Sequence, residues 1–262
     1  MNTLTAQRET ALVTGASSGI GADCARELAR RGYDLVLTAR RAERLRALKA
    51  ELEADRAARV YVVPADLAAP DGPADLIAGV EALGRPIAFL VNNAGFGVHG
   101  DFVDHDRARL AEMLRLNIHA LTTLTWHFGR AMRVRGRGRI LQVASVGAYA
   151  PSPYYAAYSA SKAYVLFLSQ ALNAELRGSG VSVTTLCPGL TATEFHAVAA
   201  HPKSGLVALT LMRAADVARI GVRAALRGRP VVTAGLINKL SGLLVKLVPR
   251  AWANAIAGLM MR

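Results

Sequence analysis

A chain of 262 residues with 52% hydrophobic side chains and a mean hydropathy of +0.25 can bury a large core and lies at the upper end of a single domain. No run reaches the ~18 uninterrupted apolar residues of a membrane span, and MNTLTAQRET lacks the apolar core of a secretory signal. A soluble, cytoplasmic protein, at most attached to a membrane surface, is the expectation. The formal charge of +13 is concentrated in the tail: residues 217–262 contain no Asp or Glu and eight Lys or Arg. Two cysteines, Cys24 and Cys187, make no disulfide framework, and six histidines without ligand spacing give no reason to expect a metal site.

In chain order, residues 10–14 (TALVT) read as a strand, followed by GASSGIG and an amphipathic helix through Arg31. Glycines at 15, 19 and 21 allow a tight turn and let backbone amides approach a phosphate at the helix N-terminus, where the macrodipole adds attraction. The same glycines also suit an ordinary turn. Residues 34–39 (DLVLTA) form the second strand, with Arg40, Arg41 and a charged helix to about Ala57 behind it. Its end lies ~20 residues past the glycines, where dinucleotide folds touch the adenosine ribose. Ala39 offers no carboxylate to a 2′-hydroxyl, whereas Arg40 offers a guanidinium fork to a 2′-phosphate, which favours NADP(H) over NAD(H).

Residues 60–64 (VYVVP) are the third strand, with Asp66 beyond its end, able to accept from an adenine amino group or to cap the segment that follows. A helix from about Pro73 to Leu83 leads to a fourth strand, 87–91, which opens into NNAG at 92–95. That sequence suits a backbone passing under a ligand and equally an ordinary turn. Residues 106–135 read as one long helix carrying Asn117 inside an apolar pattern, and a buried asparagine needs partners. Five arginines between Arg130 and Arg139 then form either a solvated loop or a surface for an anionic partner.

The fifth strand, 139–144, ends beside Ser145. After a Gly/Pro-rich connection comes a helix with Tyr158 and Lys162 one turn apart, so both share a face. A proton donor, a cation to lower its pKa and a serine hydroxyl from the strand end then meet in one pocket. The sixth strand, 181–186, is closed by Cys187, Pro188 and Gly189; the stretch from Leu190 to about Leu211 lacks a clear period and reads as a mobile flap. A helix over 217–226 and a short strand over 230–233 follow. Strands alternating with helices, and apolar on both faces, imply a parallel sheet covered on each side. Gly15, Arg40, Asp66, Asn93, Ser145 and Gly189 each follow a predicted strand, which gathers them on the carboxyl edge where ligands bind in such folds.

TGASSGIG at 14–21, Asp66, NNAG at 92–95, Asn117, Ser145, YSASK at 158–162 and PGLTAT at 188–193 together resemble the short-chain dehydrogenase/reductase family. Ser145 stands 13 positions before Tyr158 and Lys162 four after it, the family's active-site spacing. The resemblance implies a Rossmann-type, doubly wound α/β domain over residues 1–234, with a parallel sheet of seven strands. It implies a catalytic tetrad of Asn117, Ser145, Tyr158 and Lys162. The NADP(H) site it implies comprises Thr14, Gly15, Ser17, Ser18, Gly19, Ile20, Gly21, Arg40, Asp66, Leu67, Asn93, Ala94, Gly95, Tyr158, Lys162, Pro188, Gly189, Thr191 and Thr193.

The implied reaction passes hydride between the nicotinamide and a carbonyl or alcohol carbon while Tyr158 moves the proton. Tyrosine's reference pKa of ~10 is too high for a base near neutrality, but a cation within ~4–6 Å lowers it by ~1–3 units. Lys162 is expected to do this and to bind the nicotinamide ribose, Ser145 to hold the substrate oxygen, and Asn117 to fix a relaying water. Tyr154 and Tyr155 lack a lysine four residues on. The expected partners are a small-molecule carbonyl or alcohol and a second copy of the chain, as homodimer or homotetramer. A catalytically idle nucleotide-binding scaffold or sensor is the alternative, against which the intact tetrad speaks. Nucleic-acid binding through RVRGRGR lacks interleaved aromatics.

Residues 235–262 read as a basic amphipathic helical extension. Ile237, Leu240, Leu244, Leu247 and Val248 share a helix face, with Lys239 and Lys246 roughly opposite; Pro249 interrupts, and Trp252, Ile256, Leu259 and Met260 repeat the pattern. Such a pair can pack over the substrate pocket or on another subunit, which the width of the apolar face favours, or lie on an anionic membrane surface.

Overall fold

Alternation at period two sets the two faces of the central sheet. In β1 (Thr10–Thr14), Ala11 and Val13 join one core layer and Leu12 the other. The same division separates Leu35 and Leu37 from Val36 in β2 (Asp34–Thr38), Phe89 and Val91 from Leu90 in β4 (Ile87–Asn92), and Leu141 and Val143 from Ile140 in β5 (Gly138–Val143). Successive side chains point to opposite faces, so a strand buried on both sides must be apolar at nearly every position. Each Leu or Phe taken fully out of water contributes roughly 1.5–3 kcal/mol.

The computed structural model describes residues 8–56, 58–194 and 211–247. With β3 (Val60–Val62), β6 (Val181–Cys187) and β9 (Val231–Thr233), the strands form a seven-stranded sheet in the order β3-β2-β1-β4-β5-β6-β9, every neighbouring pair parallel. One face is covered by α1 (Gly19–Arg30), α2 (Ala42–Arg56) and α7 (Ala214–Leu226), through side chains such as Leu28, Leu45, Val217 and Val222. The other is covered by α3 (Gly72–Glu81) and α5 (Leu121–Val134), through Leu76, Val80, Leu124, Phe128 and Met132. The α6 helix (Ala156–Glu175) sets Val165 and Leu166 against Ala144 and Cys187 at the strand ends. This is the expected doubly wound α/β architecture. Strand order reverses between β1 and β4, and a crevice opens above such a reversal.

Three local features depart from the sequence reading. The predicted single helix over 106–135 is α4 (Arg107–Leu114) joined to α5 by a π-helical turn, Arg115–Ala120, centred on Asn117. Pattern alone does not reveal this, because one wide turn barely alters the apolar spacing. A second, two-stranded sheet pairs β7 (Thr191–Ala192) with β8 (Met212–Arg213), strands too short to carry a period. It ties together the two ends of the expected flap, whose residues 195–210 lie outside the described residues. Finally, the arginines of 130–139 are largely occupied within the fold: Arg130 stacks 5.7 Å from the Trp126 ring, Arg135 donates to Ile87 O, Arg137 approaches Glu9, and Arg139 donates to Ser182. They stand in α5, β5 and the turn between them rather than in one solvated loop.

The tail begins with a helix, α8 (Leu236–Leu247). The expectations for Val248, Pro249, Trp252, Ile256, Leu259 and Met260 fall outside the described residues.

Candidate active site

Thr14, at the end of β1, stitches the two turns that flank the crevice. Its hydroxyl donates to Val91 O (3.2 Å) and accepts from the amides of Asn93 and Ala94 (both 3.0 Å). The Asn93 side chain donates back to Thr14 O (3.0 Å) and Gly15 O (3.3 Å). Gly15 adopts φ +65°, and a Cβ there would meet Asn93 Nδ2 at 2.7 Å; a Cβ at Gly21 would lie 2.3 Å from Gly15 O. Both glycines are therefore fixed by close backbone approach. A Cβ at Gly19 would strike Thr193 Cγ2 at 2.8 Å, so the segment after β6 closes on the start of α1, while Ile20 packs against the core beneath.

The N-cap of α1 is Ser18, and its side chain makes no capping bond. The Ser18 hydroxyl instead accepts from Arg41 Nη2 (2.9 Å), which also reaches Ser17 Oγ (3.0 Å). Arg41 Nη1 grips Glu194 (2.8 Å), which Arg44 holds from the other side, and the two guanidiniums, Arg44 foremost, pull the Glu194 carboxyl down to about 2. An anion is thus already the partner of this arginine pair. Arg40, the residue picked out from sequence, is exposed and pairs with Glu112 (3.3 Å). Arg41, next in the chain, is the one that faces Ser17 and Ser18. Asp66 Oδ1 accepts from Ala68 N (3.0 Å), the capping role, and Leu67 is buried in the core.

At the reaction end, Ser145 is the N-cap of a short 3₁₀ turn over Val146–Ala148, accepting from Gly147 N (3.1 Å) and hydrogen-bonded to Tyr158. Val146 N donates to Pro188 O (2.9 Å), which ties this turn to the Pro188–Gly189 loop; Thr191 Oγ1 donates to Gly189 O (3.0 Å). Lys162 is buried, with Nζ donating to Val143 O (2.9 Å) and lying 5.9 Å from the Tyr158 ring centre. A Cβ on Gly95 would lie 2.8 Å from Asn117 Oδ1 and 3.3 Å from Lys162 Nζ, so Gly95, Asn117 and Lys162 share one small space. Asn117 is buried, its amide bonded to both Phe96 N (3.2 Å) and Phe96 O (2.9 Å) and to Ser161 Oγ (3.1 Å). Its side chain ties the Phe96 backbone to Ser161 of α6.

Burial raises the Tyr158 pKa, a hydrogen bond from Ser145 pulls it partly back, and Tyr155 raises it further. Burial also depresses the Lys162 pKa to about 8, and Lys162 Nζ donates to Val143 O. Near neutrality Tyr158 is a phenol, a proton donor. Sequence reasoning missed the aromatic group beside it. The His99 ring lies 5.0 Å from Tyr155 and 6.2 Å from Tyr154, and Tyr155 meets Tyr158 edge-on at 5.7 Å. Tyr154 sits at φ +64° with its carbonyl accepting from Gly100 N (2.9 Å), a strained conformation of the kind found at functional sites. The only signal for it was a pair of tyrosines in a loop.

The family model for short chain dehydrogenase matches residues 9–204. Galactitol 2-dehydrogenase (L-tagatose-forming) of Cereibacter sphaeroides is 38% identical over 186 residues, covering 70% of this chain and 72% of that one. A short-chain dehydrogenase from Sphingobium yanoikuyae, solved with NADPH, is 36% identical with a TM-score of 0.79, covering 91% of this chain and 94% of the other. A short-chain dehydrogenase/reductase from Burkholderia phymatum, solved with NAD, is 25% identical with a TM-score of 0.79, covering 90% and 92%.

Proposed function

Because the chain belongs to the short-chain dehydrogenase family, we propose that Tyr158 is its general acid and NADP(H) its preferred cofactor. The chain is an NAD(P)-dependent oxidoreductase acting between a hydroxyl and a carbonyl group. The residues present fit a dinucleotide: the glycine turn admits no Cβ at Gly15 or Gly21, α1 starts without a side-chain cap, and Arg41 and Arg44 already hold an anion beside it. Bound there, NADPH supplies the hydride. Thr14, Gly15, Ser17, Ser18, Gly19, Ile20 and Gly21 cradle it with Asn93, Ala94 and Gly95, and the segment from Pro188 through Thr191 and Thr193 closes over it. Arg41, rather than Arg40, takes the 2′-phosphate.

The observation that carries the reading is the hydrogen bond between Ser145 and Tyr158, with Lys162 buried one helical turn away. Ser145 orients the carbonyl oxygen, and Tyr158 gives it a proton as charge develops there. Asn117 acts as a positioning residue, holding the backbone over the Lys162 side of the site. Tyr158→Phe is expected to retain NADPH binding, read by fluorescence enhancement, while lowering carbonyl-reduction kcat by at least ~100-fold. Turnover near that of the wild type would refute the assignment.

The protein is proposed to assemble as a homodimer or homotetramer through the outward sides of α5 and α6. Thr122 and Tyr164 join these helices by a hydrogen bond (2.9 Å), and Trp126 and Phe167 stand exposed beside that pair.

A further inference from the structure

The α8 helix is mounted with the reverse of the usual polarity. A helix docked on a globular core ordinarily buries its apolar stripe and shows its polar face to water. Among the described side chains of α8 the inward contacts are polar or small. A Cβ at Gly189 would lie 2.3 Å from Asn238 Nδ2, and one at Gly242 would lie 2.9 Å from the Tyr149 ring. Asn238 Nδ2 donates to Ala234 O (2.7 Å), and the Tyr149 hydroxyl is bonded to Thr233 (2.7 Å), so this contact is ordered on both sides. Leu236, Ile237, Leu240 and Leu244, by contrast, are between 55% and 72% exposed. At ~100° per residue these four fall within an arc of about 100°, with the exposed Lys239 flanking them. The wide apolar face that suggested packing on the protein is the face left outside.

We propose that this face of α8 docks in the plane of an anionic lipid bilayer. Charge selects the occupant. The α8 sequence carries Lys239 and Lys246 and no Asp or Glu, so two copies meeting through it would set like charges against each other with no acid to pair them. An anionic bilayer accepts both parts at once, the leucines entering the acyl boundary while the cations lie among the headgroups. Among the described residues no helix is long and apolar enough to cross a membrane, which leaves the in-plane mode.

The test is co-sedimentation of the full chain with vesicles of phosphatidylcholine alone or mixed with phosphatidylglycerol, at low and high salt. The wild type is expected to bind the mixed vesicles, to bind neutral ones weakly, and to be released by salt. Leu240→Asp/Leu244→Asp should lower the partition coefficient at least ~10-fold with its thermal midpoint and NADPH binding kept. Lys239→Glu should lower it several-fold on anionic vesicles only. Equal sedimentation of wild type and the double aspartate variant overturns the proposal. So does failure of the wild type to bind anionic vesicles, and so does a multimer that the double variant dissociates while vesicle binding is unchanged, since a second copy would then be the occupant.

Discussion

Lys162 is a buried cation, and the cost of its ionisation can be measured. Burial depresses its pKa from 10.5 to about 8. Between these values the unfolded chain holds a proton that the folded chain has lost, so this group makes stability rise with pH across the window from 8 to 10.5. Below 8 the penalty for burying an ammonium is fully present. Lys162→Met removes the group and the penalty together, along with the bond to Val143 O. Denaturant unfolding at pH 7.5 and at pH 10 should therefore find wild type gaining on the variant by about 2–3 kcal/mol as pH rises. A change below about 0.5 kcal/mol means that the lysine is not neutralised by burial. Arg41 supports a second residue-scale test. A charge-assisted hydrogen bond contributes about 1.5–3 kcal/mol, so Arg41→Ala should lower the ratio of kcat/KM for NADPH over NADH by at least ~10-fold, and Arg40→Ala by much less. The reverse ranking would return the phosphate to Arg40. That Tyr158 and Lys162 share a face was legible because fixed spacing on a helix determines which side chains are neighbours. Which of Arg40 and Arg41 faces Ser17 and Ser18 was not, because neighbouring side chains leaving a strand diverge and only the path of the following turn decides it.

At the scale of elements, the legible parts were those whose burial imposes a period. All seven strands of the main sheet were read to within two residues at each end, since the inner ones are buried on both faces and run nearly unbroken in apolar residues. The π turn at Arg115–Ala120 was not legible, and its cause is a tertiary one. Asn117 accepts from Phe96 N and donates to Phe96 O, which turns the strand-end loop into a partner of the helix interior; no local preference encodes that contact. A wide turn of this kind is uncommon and is found most often at functional sites. Here it stands beside Gly95 and Lys162. The β7–β8 pair has the same lesson. Two residues on each side are too few for a pattern, yet their pairing anchors the segment that sets Thr193 against Gly19 of the glycine turn. The α8 helix was read correctly as amphipathic, but amphipathicity fixes only that two faces exist, and the inward one proved to carry Asn238 and Gly242.

For the whole molecule, the sheet edge explains why scattered motifs make one site, and the outer surface decides how many sites travel together. Single exposed apolar side chains need no explanation. Trp126 and Phe167 are another matter, at 63% and 70% exposed on adjoining helices, with Tyr164 between them and bonded to Thr122. Large rings are favoured at the centre of interfaces, where each buries ~150–250 Å². A second copy related by a two-fold axis would bring the same patch against itself, the commonest closed arrangement. Trp126→Glu/Phe167→Glu then sets charges at the centre of that contact. Light scattering after size exclusion should give a dimer or tetramer for the wild type and a monomer for the double variant, with NADPH binding retained because neither residue reaches the crevice. A monomeric wild type, or a variant that keeps its mass, shows that these rings serve no self-association.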